Sequence, residues 1–250
     1  MLALAAHPDD EVLGAGVWLA RLARAPAVAF LTDGVPRARR WRPPRYTSAT
    51  LYRQARRREA RAAWSRLRRG TRLFFAPFRD QELAFRLDGA ARWLAAVAAR
   101  VRPGLILAPA FEGGHPDHDA ANLLAARLGA ARDLPVWEFA LYTARHGRLQ
   151  RQRFPAAPGW TRHLRAPEAA RKRRAFAAYA SQRGTLRALD AGRESLRPLA
   201  AHDYSRPALR EAAVYERWGF PASARRVAQA FGAHLAGAKI ACACSCSPTR

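Results

Sequence analysis

The sequence predicts an α/β fold built on an open, mostly parallel sheet. Short apolar runs alternate with helix-like stretches through the first half of the chain, and each run ends in turn residues. Two clusters rich in His and Asp fall at such ends, where open α/β sheets form their binding sites.

The elements follow in order. Leu2 to Ala6 reads as the first strand, Val12 to Arg24 as a helix, and Val28 to Leu31 as a second strand closed by the turn Thr32-Asp33-Gly34. A basic, proline-containing loop covers Arg37 to Arg45. Tyr52 to Arg69 is a helix with Arg and Glu outward, and Leu73 to Ala76 a third strand. Asp88 to Arg100 is helical, with Trp93 and Val97 inward, and leads to a fourth strand at Leu105 to Ala108. Asn122 to Leu128 is helical and Val136 to Leu141 a fifth strand. Beyond Arg145, the pattern predicts a helix over Glu168 to Gln182, a polar loop over Arg183 to Pro207 and a closing helix over Ala222 to Ala236. Residues 1–237 are expected to form one domain and 238–250 an unstructured tail holding Cys242, Cys244 and Cys246, whose spacing suits neither long-range disulfides nor a zinc finger.

Composition narrows the function. Half of the 250 residues are hydrophobic, enough for a substantial core. Every long apolar stretch is interrupted by Arg or Asp, so no membrane span is expected, and a cytoplasmic location follows. The net charge of +25 invites a nucleic-acid reading. Its carriers are nearly all Arg, with Lys only at Lys172 and Lys239, and they are spread along the chain rather than gathered in a nucleic-acid motif. A nucleic-acid partner is therefore not expected, while the charge favours an anionic small-molecule substrate.

The chemistry sits in two motifs. Ala6-His7-Pro8-Asp9-Asp10-Glu11 follows the first strand, and Gly113-Gly114-His115-Pro116-Asp117-His118-Asp119 follows the fourth. The acids of the first motif also suit the positive end of the next helix, Glu11 among them, and Asp119 suits an N-cap. Two His-Pro-Asp units at corresponding strand ends point further. Catalytic zinc takes three protein ligands and keeps a fourth position open, and His7, Asp10 and His118 can supply the three if the first and fourth strands are neighbours. Asp9 is then the general base, and His115 faces charge developing on the substrate. His146, His163, His202 and His234 belong to no such cluster and read as surface or core residues.

These motifs resemble the LmbE-like, or PIG-L, family of zinc-dependent N-deacetylases, which act on N-acetylglucosamine-containing substrates and related amides. The resemblance implies a Rossmann-like fold with helices on both faces, and one Zn²⁺ held by His7, Asp10 and His118, ligands that another divalent transition metal such as iron or cobalt could also occupy. It also implies base catalysis by Asp9 and a charged His115 oriented by Asp117. Weaker matches extend it: Arg56 and Glu59 with Ala63 resemble the family's Arg-x-x-Glu helix, Asp80 stands where members carry an acid that meets the sugar, and Tyr179-Ala180-Ser181-Gln182 resembles a helix ending in Ser-Gln. The implied reaction is removal of an acetyl group from an amino sugar by metal-activated water. Its rivals are an amidase for a larger acyl conjugate and a basic nucleic-acid or anionic-surface binder with a vestigial metal site.

Overall fold

The computed structural model describes residues 1–154, 159–186 and 191–245, without side chains at 185–186 and 238–245. In chain order the elements are β1 (Leu2–Ala5), α1 (Asp10–Ala20), β2 (Ala27–Phe30), α2 (Ala49–Leu67), β3 (Arg72–Phe75), α3 (Leu87–Val101), β4 (Ile106–Pro109), α4 (Pro116–Arg132), β5 (Val136–Phe139), β6 (Tyr142–Arg145), β7 (Arg148–Arg151), β8 (Trp160–His163), α5 (Ala166–Phe176), α6 (Arg183–Leu186), β9 (Arg193–Pro198), α7 (Val214–Arg217) and α8 (Ala224–Ser245). Seven strands form one sheet in the order β3-β2-β1-β4-β5-β9-β8. The first five strands run parallel, and β9 is antiparallel to both β5 and β8. This is the expected mostly parallel α/β architecture.

β1 is apolar at every position because both of its faces are covered. Leu2 and Leu4 pack with Leu94 of α3, Leu124 of α4 and Phe231 of α8. Ala3 and Ala5 turn to the opposite layer, with Leu19 of α1, Trp64 of α2 and Tyr179. β1 pairs with β2 on one side and β4 on the other, so strand order reverses between β1 and β4. A crevice at the carboxyl ends of two such strands is where an open α/β sheet binds its ligand.

Four elements differ from expectation. α4 begins at Pro116 rather than near Asn122, because the second motif itself forms its first turn, with Pro116 at the start and the His115 ring as cap. The stretch expected as one helix to Gln182 divides into α5 and a short 3₁₀ turn at Ala180–Gln182. Ser181 in that turn is drawn to Glu59, which accepts from its backbone N–H at 2.8 Å and its hydroxyl at 2.6 Å. The third difference is β9, which lies in the region read as a loop. Its Glu194 is fully buried against the equally buried Lys172 at 3.0 Å. The same carboxylate accepts the N–H groups of Val17 and Trp18 at 2.8 Å each, which α1 frees by breaking at Ala15. The freed Leu13 carbonyl accepts from the Gln152 amide at 3.0 Å. α8 runs into the stretch expected as a tail, and residues 246–250, with Cys246, lie outside the described residues. Among the described residues, no helix is long and apolar enough to cross a membrane.

Candidate metal and catalytic site

The first motif is a strained turn held from several sides. Asp9 adopts φ 144°, a region that costs a non-glycine residue about 1–3 kcal/mol. Asp10 opens α1, and its carboxylate accepts from the His7 backbone N–H at 2.7 Å. Beneath the turn lies fully buried Glu11, which accepts from the Asp9 N–H at 3.1 Å and from the Trp64 indole and Tyr179 hydroxyl at 2.9 Å each. Burial, and then the charge of Asp9, push the Glu11 carboxyl up to about 8. Glu11 therefore does more than favour a helix end: it ties the turn to α2 and to the segment after α5.

Asp9 in turn meets Arg56 of α2, whose two terminal nitrogens lie 3.2 and 3.3 Å from Oδ2. Burial pushes the Asp9 carboxyl up and Arg56 opposes it, leaving a pKa of about 6. Gly34, at φ 63°, makes room for this pair, since a Cβ there would lie 2.8 Å from Arg56 Nε and 3.0 Å from Pro8.

The second motif is fastened by carboxylates as well. Glu112 accepts from the N–H groups of Leu141 and Tyr142, and Asp119 accepts from those of Glu112 and Gly113. Asp119 thus fastens the preceding loop, while the cap of α4 is His115, whose Nδ1 accepts from the Asp117 N–H at 3.1 Å. A ring that accepts at Nδ1 carries its proton at Nε2, and burial, followed by the neighbouring His7 and His118, holds the His115 pKa well below its usual value. The geometry describes a neutral donor, where the resemblance implied a charged imidazole. Asp117 reaches His115 Nδ1 through its backbone N–H, and its carboxylate lies 3.9 Å from the same nitrogen; that carboxylate also accepts from the N–H groups of Gln81 and Leu83 and lies 3.2 Å from His7 Nε2.

The two motifs meet across the crevice. His118 Nε2 lies 3.3 Å from Asp10 Oδ1, and His7 Nδ1 lies 3.4 Å from Asp10 Oδ2. Ligand atoms bound at about 2.0–2.1 Å around a tetrahedral ion stand about 3.3 Å apart; each of the two separations is of that size, but they reach different oxygens of Asp10. Nitrogens of His7, His115 and His118 also converge within 4.8 Å, and a second possible group joins His7, Asp80, His115 and Asp117. His118 Nδ1 is buried without a hydrogen-bond partner. Leaving such an atom unpaired costs free energy; the nitrogen that faces the cluster is the other one, Nε2, 3.3 Å from Asp10 Oδ1. Two imidazoles and a carboxylate are donors that zinc accepts, so the residues fit the expected metal.

A cavity of about 380 Å³ opens over this cluster. Its lining includes His7, Asp9, Asp10, Arg56, Asp80, His115 and His118, which brings together all the expected site residues except buried Asp117. Asp80 stands with Oδ1 3.2 Å from His7 Nε2 and 3.5 Å from His115 Nε2. The weak sequence matches also acquire a physical link, since Glu59 holds Ser181 and the Gln182 amide donates to the Tyr52 hydroxyl at the wall. Sequence reasoning missed the aromatic lining, Trp41, Tyr142, Trp218 and Phe220. These residues are far apart in the chain, and Trp218 and Phe220 lie in the poorly patterned last third. The basic loop from Arg37 to Arg45 contributes Trp41 to the lining, and Arg56 is the one arginine among the lining residues.

Comparison with known proteins agrees. The family model described as PIG-L, GlcNAc-PI de-N-acetylase, matches residues 2–128, which hold both motifs. No curated protein matches the sequence. Among solved structures, a bog-bound deacetylase from the biosynthesis pathway of teicoplanin is similar, with a TM-score of 0.61 at 18% identity over 81% of this chain and 98% of its own. The N,N'-diacetylchitobiose deacetylase of Pyrococcus horikoshii gives 0.57 at 18% identity over 79% and 82%. GalB, a 4-carboxy-2-hydroxymuconate hydratase from Pseudomonas putida KT2440, gives 0.53 at 20% over 80% and 96%. These likenesses establish a shared fold, which among these solved structures serves deacetylases and a hydratase alike, so the reaction must be argued from the site.

Proposed function

The chain belongs to the PIG-L, GlcNAc-PI de-N-acetylase family, and from that premise we propose that it is a zinc-dependent hydrolase removing the acetyl group from an N-acetylglucosamine-containing small molecule. The observation that supports this reading is the gathering of His7, Asp10 and His118 in one cavity lining beside an Asp9 that Arg56 holds in place. A binding module has no use for a buried, strained carboxylate at the edge of a metal cluster, and general-base catalysis does.

In this reading His7, Asp10 and His118 hold the metal, which supplies the Lewis acidity that makes water nucleophilic near neutral pH and polarises the amide carbonyl. Asp9 takes the proton from the water as its oxygen bonds to the carbonyl carbon. With a pKa near 6, it is largely ionised at neutral pH and still basic enough to be useful. The carbonyl electron pair moves to oxygen, where the Nε2–H of neutral His115 can meet the new charge. The carbon–nitrogen bond then breaks, Asp9 returns its proton to the leaving nitrogen, and acetate and the free amine depart. Arg56 keeps Asp9 oriented, Asp117 fixes His115 through its backbone N–H, and Arg56 and Asp80 border the sugar.

The test is acetate release by zinc-loaded protein from a panel of N-acetylglucosaminyl compounds, beside matched compounds with longer acyl chains. Release of acetate that disappears on chelation supports the reading. Hydrolysis of the longer acyl compounds alone replaces it with the amidase reading.

A further inference from the structure

We infer that the substrate carries a planar aromatic group beyond its amino sugar, seated against the indoles of Trp41 and Trp218. The inference rests on the deacetylase reading for the sugar and adds the chemical class of what is attached to it.

An unbroken series of rings leads from the metal cluster to the cavity mouth. His115 lies 5.1 Å from the Phe220 ring, Phe220 lies 5.8 Å from Trp41 and 6.3 Å from Trp218, and Trp218 lies 5.4 Å from Tyr142, which returns to His118 at 5.3 Å. Phe220 and Tyr142 thus border the depth where the amide must sit. Trp41 and Trp218 stand one ring further out, where whatever the sugar carries must pass.

Exposure separates these two indoles from ordinary core residues. Trp41 is 42% and Trp218 41% exposed; Leu51, Phe85 and Trp160 are exposed as well among the described residues, but of these five only the two indoles line the cavity. They come from separate segments, the loop after β2 and the end of α7, yet both pack on Phe220. Exposed apolar surface gathered at the mouth of a polar-floored cavity marks a binding face.

Charge argues against a phosphate as the main recognised group at this mouth. Arg39 spends its guanidinium on the carbonyls of Arg42 and Pro44, Arg37 pairs with Glu82, and no arginine of this loop lines the cavity. Arg37 and Arg39 shape the loop that presents Trp41, and the Arg40 guanidinium lies over that indole, 5.7 Å from its centre. The polar lining, Arg56, Asp80, Gln81 and Gln182, offers donors and acceptors suited to sugar hydroxyls, and leaves the aromatic side for a group without them. Offset or edge-to-face contact with an indole favours an aromatic ring over an alkyl chain of similar area.

Binding of the methyl, octyl and 4-nitrophenyl glycosides of N-acetylglucosamine to the metal-free chain, measured by calorimetry, tests this directly. Acetate release from the same three by the zinc-loaded chain is measured in parallel. The expected result is an aryl glycoside bound at least about tenfold more tightly than the methyl and more tightly than the octyl compound. Trp41→Ala and Trp218→Ala should each shrink the aryl-to-methyl ratio, with circular dichroism showing an intact fold. Equal affinity for aryl and methyl compounds, a preference for octyl, or an aryl-to-methyl ratio unchanged in both folded variants overturns the inference. Acetate release without aryl preference overturns it alone and leaves the deacetylase reading standing. Aryl preference in binding with no acetate released overturns the deacetylase reading and leaves the aromatic site standing.

Discussion

Arg56 and Asp9 form a buried ion pair in which both terminal guanidinium nitrogens meet one carboxylate oxygen, at 3.2 and 3.3 Å. The pair joins α2 to the turn after β1, and through it a helix surface feature in the sequence becomes part of the site. Removing one member of a buried pair leaves the other charge uncompensated, at a cost of about 3–5 kcal/mol. Arg56→Met should therefore lower stability by about that amount in urea unfolding and reduce turnover as well. A variant with unaltered unfolding midpoint and turnover would show the pair to be incidental.

Asp9→Asn keeps the shape of Asp9 and removes its basicity. The expected outcome is retained metal with turnover lowered about 10²–10⁴-fold, the range that general-base catalysis supplies. His115→Ala should likewise keep its metal, with the loss falling on kcat more than on KM because the oxyanion exists only near the transition state. Metal content and both kinetic constants, measured on the same preparations, check these expectations. Near-normal turnover in either loaded variant removes that residue from the mechanism.

Glu11 is the fastening beneath the catalytic turn. Glu11→Ala leaves the Asp9 N–H, the Trp64 indole and the Tyr179 hydroxyl without their common partner, and should cost on the order of 3 kcal/mol. Glu11→Gln keeps one acceptor and should cost less. Thermal unfolding of the two variants orders them, and equal melting temperatures would contradict the role.

Glu138 gives a pH dependence away from the histidine–aspartate cluster. Burial raises its pKa, but His202 and Arg197, at 3.4 and 2.5 Å, outweigh burial and hold it below the usual glutamate value. A carboxyl with a lowered folded-state pKa stabilises fully above its unfolded pKa of about 4.3, and that contribution disappears as pH falls through the folded value. The stability difference between the native chain and Glu138→Gln should thus be largest near neutral pH and shrink toward pH 3. Urea midpoints at both pH values measure it, and a constant difference would refute the linkage.

The parallel half of the sheet was legible because its strands are covered on both faces and so appear as uninterrupted apolar runs, such as Leu2-Ala3-Leu4-Ala5. β9 was not, since Arg193, Glu194 and Arg197 break any apolar pattern, and only the folded chain reveals Lys172 as the partner that lets Glu194 be buried. Within the site, His7, Asp10 and His118 were legible as residue types at strand ends, and they line one cavity because β1 and β4 are neighbours. The tautomer of His115 was not, because it depends on the Asp117 backbone N–H. Nor were Trp41 and Trp218, which become neighbours of one ring only when distant loops meet.

Zinc titration of the metal-free chain, with acetate release from an N-acetylglucosaminyl substrate as the signal, tests the metal-dependent deacetylase most directly. Three convergent ligands in one cluster predict a rate that rises in proportion to added zinc and stops rising at about one equivalent per chain, with no such rise in His118→Ala. Acetate release that is the same before and after zinc is added, or a folded His118→Ala chain that responds as the native one does, would contradict it.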